Sequence, residues 1–187
     1  MDEIAERNIF EIVKSKRMLK KGIIIQGSAN SKGNTNKAVV YFKDKTGFDF
    51  IDLKCKDIAP FDYEFKNKYD DFLPLIKDIA QQYEVIVFAT PVYWYSMSGI
   101  LKNFFDRISD CLMIEKETGR QFRGKKIGVI SSSSDGQPIE GFEMPFRESA
   151  NYLGMEYLGS AHTWVEEKEL TIKAKERLTW LSEVTME

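Results

Sequence analysis

The stretch Ile23-Ile24-Ile25-Gln26-Gly27-Ser28-Ala29-Asn30-Ser31-Lys32-Gly33-Asn34-Thr35 sets a short apolar run against a polar, glycine-bounded loop that leads into an amphipathic segment. That order reads as a strand, a tight loop and a helix N-terminus. Such a loop directs backbone N–H groups and short hydroxyl or amide side chains at one point. The positive end of the helix dipole favours an anion there, a phosphate group above all. Spacing excludes two familiar phosphate motifs. A Walker A loop has four residues between its glycines and then Lys with Ser or Thr; here five residues separate Gly27 from Gly33, and Asn34 stands where the Lys would be. The dinucleotide fingerprint G-x-G-x-x-G is absent as well. The loop suits one terminal phosphate held mainly by neutral donors. The competing reading is a turn whose Ser and Asn side chains only cap the helix.

Outward from this stretch, β-rich apolar runs alternate with helical patterns, with no internal repeat and no linker-like composition. The first strand covers Lys21 to Gln26, and a helix from Asn34 to Lys45 is stopped by Gly47. Phe48 to Leu53 reads as the second strand. A polar, aromatic-bearing connection then runs from Lys54 to Tyr69, followed by a helix from Asp71 to Gln82. Val85-Ile86-Val87-Phe88-Ala89 is continuously apolar, as a strand buried on both faces of a parallel sheet must be, and is the central strand. A helix carries Ile100, Leu101, Phe104, Phe105 and Ile108. Ile127 to Ile130 is the fourth strand, Glu140 to Leu153 a helix, Tyr157 to Val165 the fifth strand, and Glu167 to Val184 the last helix. Five strands alternating with helices imply right-handed crossovers and an α/β three-layer, doubly wound domain on a parallel sheet. Ligands in such sheets lie beyond the carboxyl ends of the strands, where the winding reverses. The polar loops after strands one, three and four all fall at that edge.

Composition narrows the functional classes. The chain has 187 residues, 43% of them hydrophobic and 13% aromatic, enough for a substantial single core over residues 21–187. Its 27 basic and 29 acidic residues nearly cancel, which disfavours nucleic acid or an anionic membrane surface as partner. Residues 1–20 read as an extra amphipathic N-terminal helix rather than a signal peptide, and no run reaches the roughly 20 apolar residues of a membrane span. The expectation is a cytoplasmic protein. Cys55 and Cys111 lack the spacing of a redox pair or metal site and read as reduced core residues, so no metal is expected.

The second loop, Thr90-Pro91-Val92-Tyr93-Trp94-Tyr95-Ser96-Met97-Ser98-Gly99, is rigid at its start, aromatic in the middle and small at its end. Aromatic faces and free backbone groups suit a flat ring system, and a cluster of this kind on a loop is otherwise a subunit contact or a lid on the next helix. The loop Ser131-Ser132-Ser133-Ser134-Asp135-Gly136 offers donors without bulk to the other side of the same ring. His162, the only histidine, reads as structural, and Lys102 and Arg107 as helix-surface charges.

On these residues the chain resembles the NAD(P)H-dependent FMN reductase group of flavodoxin-like proteins. The matching positions are Gly27, Ser28, Gly33, Asn34 and Thr35; then Thr90 to Trp94 and Ser96 to Gly99; then Leu101, Lys102, Phe104, Asp106 and Arg107. The resemblance implies the flavodoxin-like strand order 2-1-3-4-5 and an FMN cofactor. Ser28, Asn30, Ser31, Gly33, Asn34 and Thr35 would hold its phosphate. Pro91, Val92, Tyr93, Trp94, Tyr95 and Ser96 would border the ring, with Ser131, Ser132, Ser133, Ser134, Asp135 and Gly136 at its far edge. Some relatives carry an iron–sulfur cysteine cluster between the second strand and second helix; the corresponding segment here holds Cys55 alone, which leaves electron delivery to soluble NADPH or NADH.

The expected function is therefore an oxidoreductase that takes hydride onto FMN and passes electrons to a small acceptor such as a quinone, nitro compound or flavin. The cofactor carries that chemistry, so no catalytic side chain is required. The aromatic loop and the N-terminal segment also suggest a homodimer or homotetramer. Two rivals remain: a flavodoxin-type one-electron carrier, against which the near-zero net charge argues, and a cofactor-free interaction protein.

Overall fold

The computed structural model describes residues 21–187. The extra helix expected over residues 1–20 lies outside the described residues. Five strands form one parallel sheet: β1 (Gly22–Gln26), β2 (Asp49–Asp52), β3 (Val85–Pro91), β4 (Lys126–Ser132) and β5 (Glu156–Thr163). Their spatial order is β2-β1-β3-β4-β5, the flavodoxin-like order, and β3 is central. The register pairs Ile24 with Phe50 and with Val87, and Phe88 with Val129.

Six α-helices cover the sheet among the described residues: α1 (Asn34–Thr46), α2 (Phe72–Gln82), α3 (Gly99–Met113), the short α4 (Lys116–Arg120), α5 (Met144–Leu153) and α6 (Ile172–Met186). Period-two alternation along each strand divides the core in two. Ile23, Ile25, Ile86, Phe88, Ile127 and Val129 pack with Phe72, Ile76 and Ile79 of α2, Phe104 of α3 and Phe146 of α5. Ile24, Val85, Val87, Ala89 and Ile130 pack with Ala38, Val39 and Phe42 of α1 and Ala174, Leu178 and Leu181 of α6. Both faces of β1 and β3 are thus buried, which is why their sequences are continuously apolar.

The structure corrects four expectations. Glu167 to Leu170 is not helical: β6 (Val165–Glu166) and β7 (Glu169–Leu170) form a small antiparallel hairpin turned at Glu167 and Lys168, and α6 starts only at Ile172, capped by the Thr171 hydroxyl. Leu170 is still buried, but from a strand. The helix expected from Glu140 starts at Met144, after a turn through Gly141. Cys55 is exposed at the end of a single 3-10 turn (Leu53–Cys55), whereas Cys111 is buried on α3.

Arg107 is the fourth correction. It is 1% exposed, not a surface charge. Its Nε donates to Asp110 at 2.9 Å and its Nη1 to the Ala59 carbonyl at 2.9 Å. Both terminal nitrogens also engage the Asp70 carboxylate, and Nη2 reaches the Asn67 carbonyl at 3.2 Å. This fork pins the connection between β2 and α2 onto α3, and the guanidinium lies over the Phe72 ring. Lys102, by contrast, is exposed and paired with Asp106.

Candidate active site

The three loops after β1, β3 and β4 meet at the carboxyl edge of the sheet around one cleft of about 810 Å³. It lies where the winding reverses between β1 and β3. Ser28, Asn30, Gly33, Asn34 and Thr35 form one end, Pro91, Val92, Tyr93, Trp94 and Tyr95 one wall, and Ser132, Ser133, Ser134 and Asp135 the other. Four expected residues do not line it: Ser131 is buried behind the wall against His162, and three others turn away. The Ser31 carbonyl turns back to the Gln26 amide, Ser96 closes the turn opposite Tyr93, and Gly136 packs behind the wall against Trp164. Gln137, Pro138 and Ile139 complete the lining and were missed by sequence reasoning. The Pro138 restriction directly after the serine loop was the available signal.

At the Gly27–Thr35 end of the cleft, the N-terminus of α1 is open rather than capped by a side chain. Gly33 is the N-cap of α1 and provides no side-chain cap, and the first turn has no acidic residue. Ser28 and Asn30 are spent inside the loop: the Ser28 hydroxyl accepts from the Asn30 N–H at 3.2 Å, and the Asn30 side chain accepts from the Lys32 N–H at 3.1 Å. Loop side chains therefore brace the loop rather than cap α1, whose first residues Asn34 and Thr35 line the cleft, an arrangement that suits an anion. Gly27 is required by packing: a Cβ there would lie 2.6 Å from the Leu101 Cβ of α3. The Ser98 hydroxyl ties the two loops, donating to the Gly27 carbonyl at 2.6 Å and accepting from the Leu101 N–H at 3.2 Å as the N-cap of α3.

On the aromatic wall, Tyr93 and Ser96 exchange two backbone hydrogen bonds, 2.9 and 3.1 Å. Trp94 and Tyr95 between them have φ of 48° and 66°, a left-handed pair normally left to Asn and Gly. The two residues are 93% and 73% exposed, so little side-chain burial offsets the strain of that turn. Strain of this kind collects at ligand sites.

The opposite wall is held from behind. The Ser132 hydroxyl meets the Thr163 hydroxyl at 2.7 Å, and Thr163 donates to the Ser131 carbonyl at 2.8 Å. His162, 7% exposed, lies 2.8 Å by Nδ1 from the Ser131 hydroxyl; its Nε2 lies 3.0 Å from the Ser133 hydroxyl and 3.1 Å from the Asp135 carbonyl. Burial, chiefly, pushes its pKa down, and the Arg177 charge adds to this against the opposing effect of Asp135. No buried side-chain polar atom is left without a partner among the described residues. They also contain no group of three or more His, Cys, Asp or Glu that could hold a metal, and no helix long and apolar enough to cross a membrane.

An anion end formed by an uncapped helix, joined to a flat slot between an aromatic wall and a hydroxyl-rich wall, fits the phosphate and ring of FMN. Comparison with known proteins points to the same cofactor. Residues 21–169 match the NADPH-dependent FMN reductase family. The chain is 32% identical over 148 residues to YwqN of Bacillus subtilis, named as an NAD(P)H-dependent FMN-containing oxidoreductase, covering 73% of this chain and 80% of that one. Among solved structures, the Trp repressor binding protein of Bacillus subtilis is 25% identical with a TM-score of 0.69, covering 88% of this chain and 97% of its own. An FMN-dependent NADH-azoreductase from Bacillus anthracis shares the fold at 17% identity and a TM-score of 0.64, covering 88% of this chain and 97% of that one. The chain belongs to the NADPH-dependent FMN reductase family and is an FMN-dependent oxidoreductase.

Proposed function

We propose that the three-loop cleft holds FMN with its phosphate at the N-terminus of α1 and its ring between the Pro91–Tyr95 and Ser132–Asp135 walls. Electrons would come from NADPH or NADH and pass to a small planar acceptor such as a quinone, a nitro compound or free flavin. FMN supplies the two-electron chemistry when bound. The chain's own residues supply the rest. The first-turn N–H groups of Asn34 and Thr35 complement the phosphate charge without any cation having to be desolvated. Pro91 fixes the entry of the aromatic turn, and the Val92 N–H donates to the Ser132 carbonyl at 2.8 Å, holding the two walls at one spacing. The side of the cleft under Trp94 stays open to solvent, where a nicotinamide and then an acceptor have access in turn.

The observation that carries this reading is the α1 N-terminus, left without a side-chain cap, at one end of a cleft between an aromatic and a hydroxyl-rich wall. A second subunit packed beside the exposed Trp94 would wall one edge of that opening without closing it, which supports a homodimer or homotetramer; the mass of the protein in solution tests that assembly.

The deciding experiment is an anaerobic absorbance spectrum of the protein with FMN, before and after adding NADPH or NADH. Bleaching of the flavin band within seconds is expected, faster with the preferred nucleotide. Bleaching by chemical reductant alone would overturn the reductase reading in favour of an electron carrier.

A further inference from the structure

Among the described residues, one side-chain hydrogen bond joins the Gly27–Thr35 loop to the Thr90–Gly99 loop: the Ser98 hydroxyl donates to the Gly27 carbonyl at 2.6 Å. Both residues are buried, Ser98 to 1% exposure. The same hydroxyl accepts from the Leu101 N–H, and the Ser98 N–H donates at 3.0 Å to the Thr90 hydroxyl, which itself donates to the Pro91 carbonyl at 3.0 Å. Ser98 thus closes the base of the aromatic loop, starts α3 and grips the first residue of the loop at the other end of the cleft. The Gly27 N–H donates to the Ala89 carbonyl of β3 at 2.8 Å, so both backbone polar groups of Gly27 are held from outside its own loop.

The other side-chain braces of that loop are local. Gln26, fully buried at the end of β1, donates to the Ser31 carbonyl at 3.4 Å and accepts from the Asn36 side chain at 3.2 Å, while Ser28 and Asn30 bond within the loop. They set the shape of the loop and do not reach the ring walls. Packing at the Ser98 tie is already tight: a Cβ on Gly27 would lie 3.1 Å from the Leu101 nitrogen as well as against its Cβ, so the loop can move only away from α3. Deleting the hydroxyl would leave the Gly27 carbonyl and the Leu101 N–H buried without a partner, and movement of the loop away from α3 relieves that cost by admitting water.

With FMN assigned to this cleft, on which the inference rests, we propose that Ser98 is a positioning residue for the cofactor: its hydroxyl fixes the separation of the phosphate end from the aromatic wall, so that one FMN engages both at once. FMN has two binding groups, a phosphate and a ring, at the ends of one short chain. The second group binds with an advantage set by how well the spacing of the two sites matches that chain. A tie between the sites keeps the spacing ready before the cofactor arrives. Riboflavin has the ring and no phosphate, so it draws nothing from the spacing. Untying the loops should therefore weaken FMN selectively, whereas the mere loss of a helix cap lowers stability and leaves the preference for FMN over riboflavin where it was.

The test compares dissociation constants of FMN and riboflavin, read by flavin fluorescence, in the wild type, Ser98→Ala and Thr171→Ala. Thr171 caps α6 by the same kind of bond, from the Ala174 N–H at 3.2 Å, and lines no part of the cleft, so its variant reports what a lost cap does by itself. Ser98→Ala should bind FMN roughly tenfold more weakly and riboflavin within about threefold of wild type, while Thr171→Ala loses Tm and keeps the wild-type preference for FMN. Ser98→Cys, which keeps the side-chain volume with a weaker donor, should shift the preference in the same direction and takes over the test if the alanine variant does not fold. A preference for FMN that does not fall in the Ser98 variants, or that falls equally in Thr171→Ala, overturns the proposal while FMN still binds. A wild-type protein that binds neither flavin, or FMN no more tightly than riboflavin, would instead overturn the assignment of FMN and its phosphate to the cleft, and the proposal with it.

Discussion

Asn34 is the residue at which the phosphate assignment is most exposed to test. It opens α1, where the N–H groups have no intrahelical partner and no side chain caps them. A carboxylate there would satisfy the helix dipole itself and repel a phosphate, so Asn34→Asp should stabilise the empty protein slightly while weakening FMN at least tenfold, about 1.4 kcal/mol. Fluorescence titration of FMN reads the effect, and unchanged affinity would move the phosphate elsewhere. The residue type and its place at a helix start were legible in sequence. What was not legible is that Ser28 and Asn30 turn inward to fix the loop, because that depends on the path of the backbone between Gly27 and Gly33.

At the scale of elements, the two-residue turn of Trp94 and Tyr95 is the clearest local conflict in the chain. Two bulky residues at positive φ each cost on the order of 1 kcal/mol or more, and neither buries its side chain in return. Replacing the pair by Asn-Gly (Trp94→Asn with Tyr95→Gly) suits the required backbone and should raise stability by about 1–2 kcal/mol, seen as a Tm higher by several degrees. Flavin reduction by nicotinamide should fall in the same variant, since the exposed wall is gone. A variant that is less stable than the parent would show that the turn is not strained. The β6–β7 hairpin repeats the lesson: Glu167 and Lys168 have φ of 49° and 71° without a Gly or Asn to announce a turn, so the sequence pattern there reads as helix.

At the scale of the whole molecule, one buried ion cluster ties a long connection to the layer of helices. Arg107 on α3 spends its donors on Asp110, Asp70 and two carbonyls of the connection between β2 and α2. Arg107→Met would leave two carboxylates buried without their cation and should cost about 3–5 kcal/mol in urea or thermal unfolding. Burial alone would raise the Asp70 pKa, but hydrogen bonds from Arg107 and from the Phe72 and Ala59 N–H groups outweigh it and hold it below its ordinary 3.8. A depressed carboxyl contributes stability above its unfolded pKa and loses it as pH falls through the folded value. The stability gap between wild type and Arg107→Met should therefore be full near pH 7 and narrow below about pH 3.8. A gap independent of pH would mean that packing of the long side chain, rather than its charge, holds the connection.

The sequence by itself determined the strand and helix alternation, the buried central strand and the three loops that share one edge, because hydrophobic period and glycine-bounded turns are local properties of the chain, while the order 2-1-3-4-5 came only from the family resemblance. Only the tertiary structure decided which polar residues face the cleft and which brace it. Arg107 looks like a surface charge until Asp70, 37 residues away, folds over it. His162 looks inert until β5 pairs with β4 and sets its ring against Ser131 and Ser133. Gln137, Pro138 and Ile139 join the site only because the chain after β4 bends back across the sheet edge. In each case the deciding contact spans a distance along the chain over which no periodicity carries information, and the energy of burying a polar group is fixed by the partner it finds there.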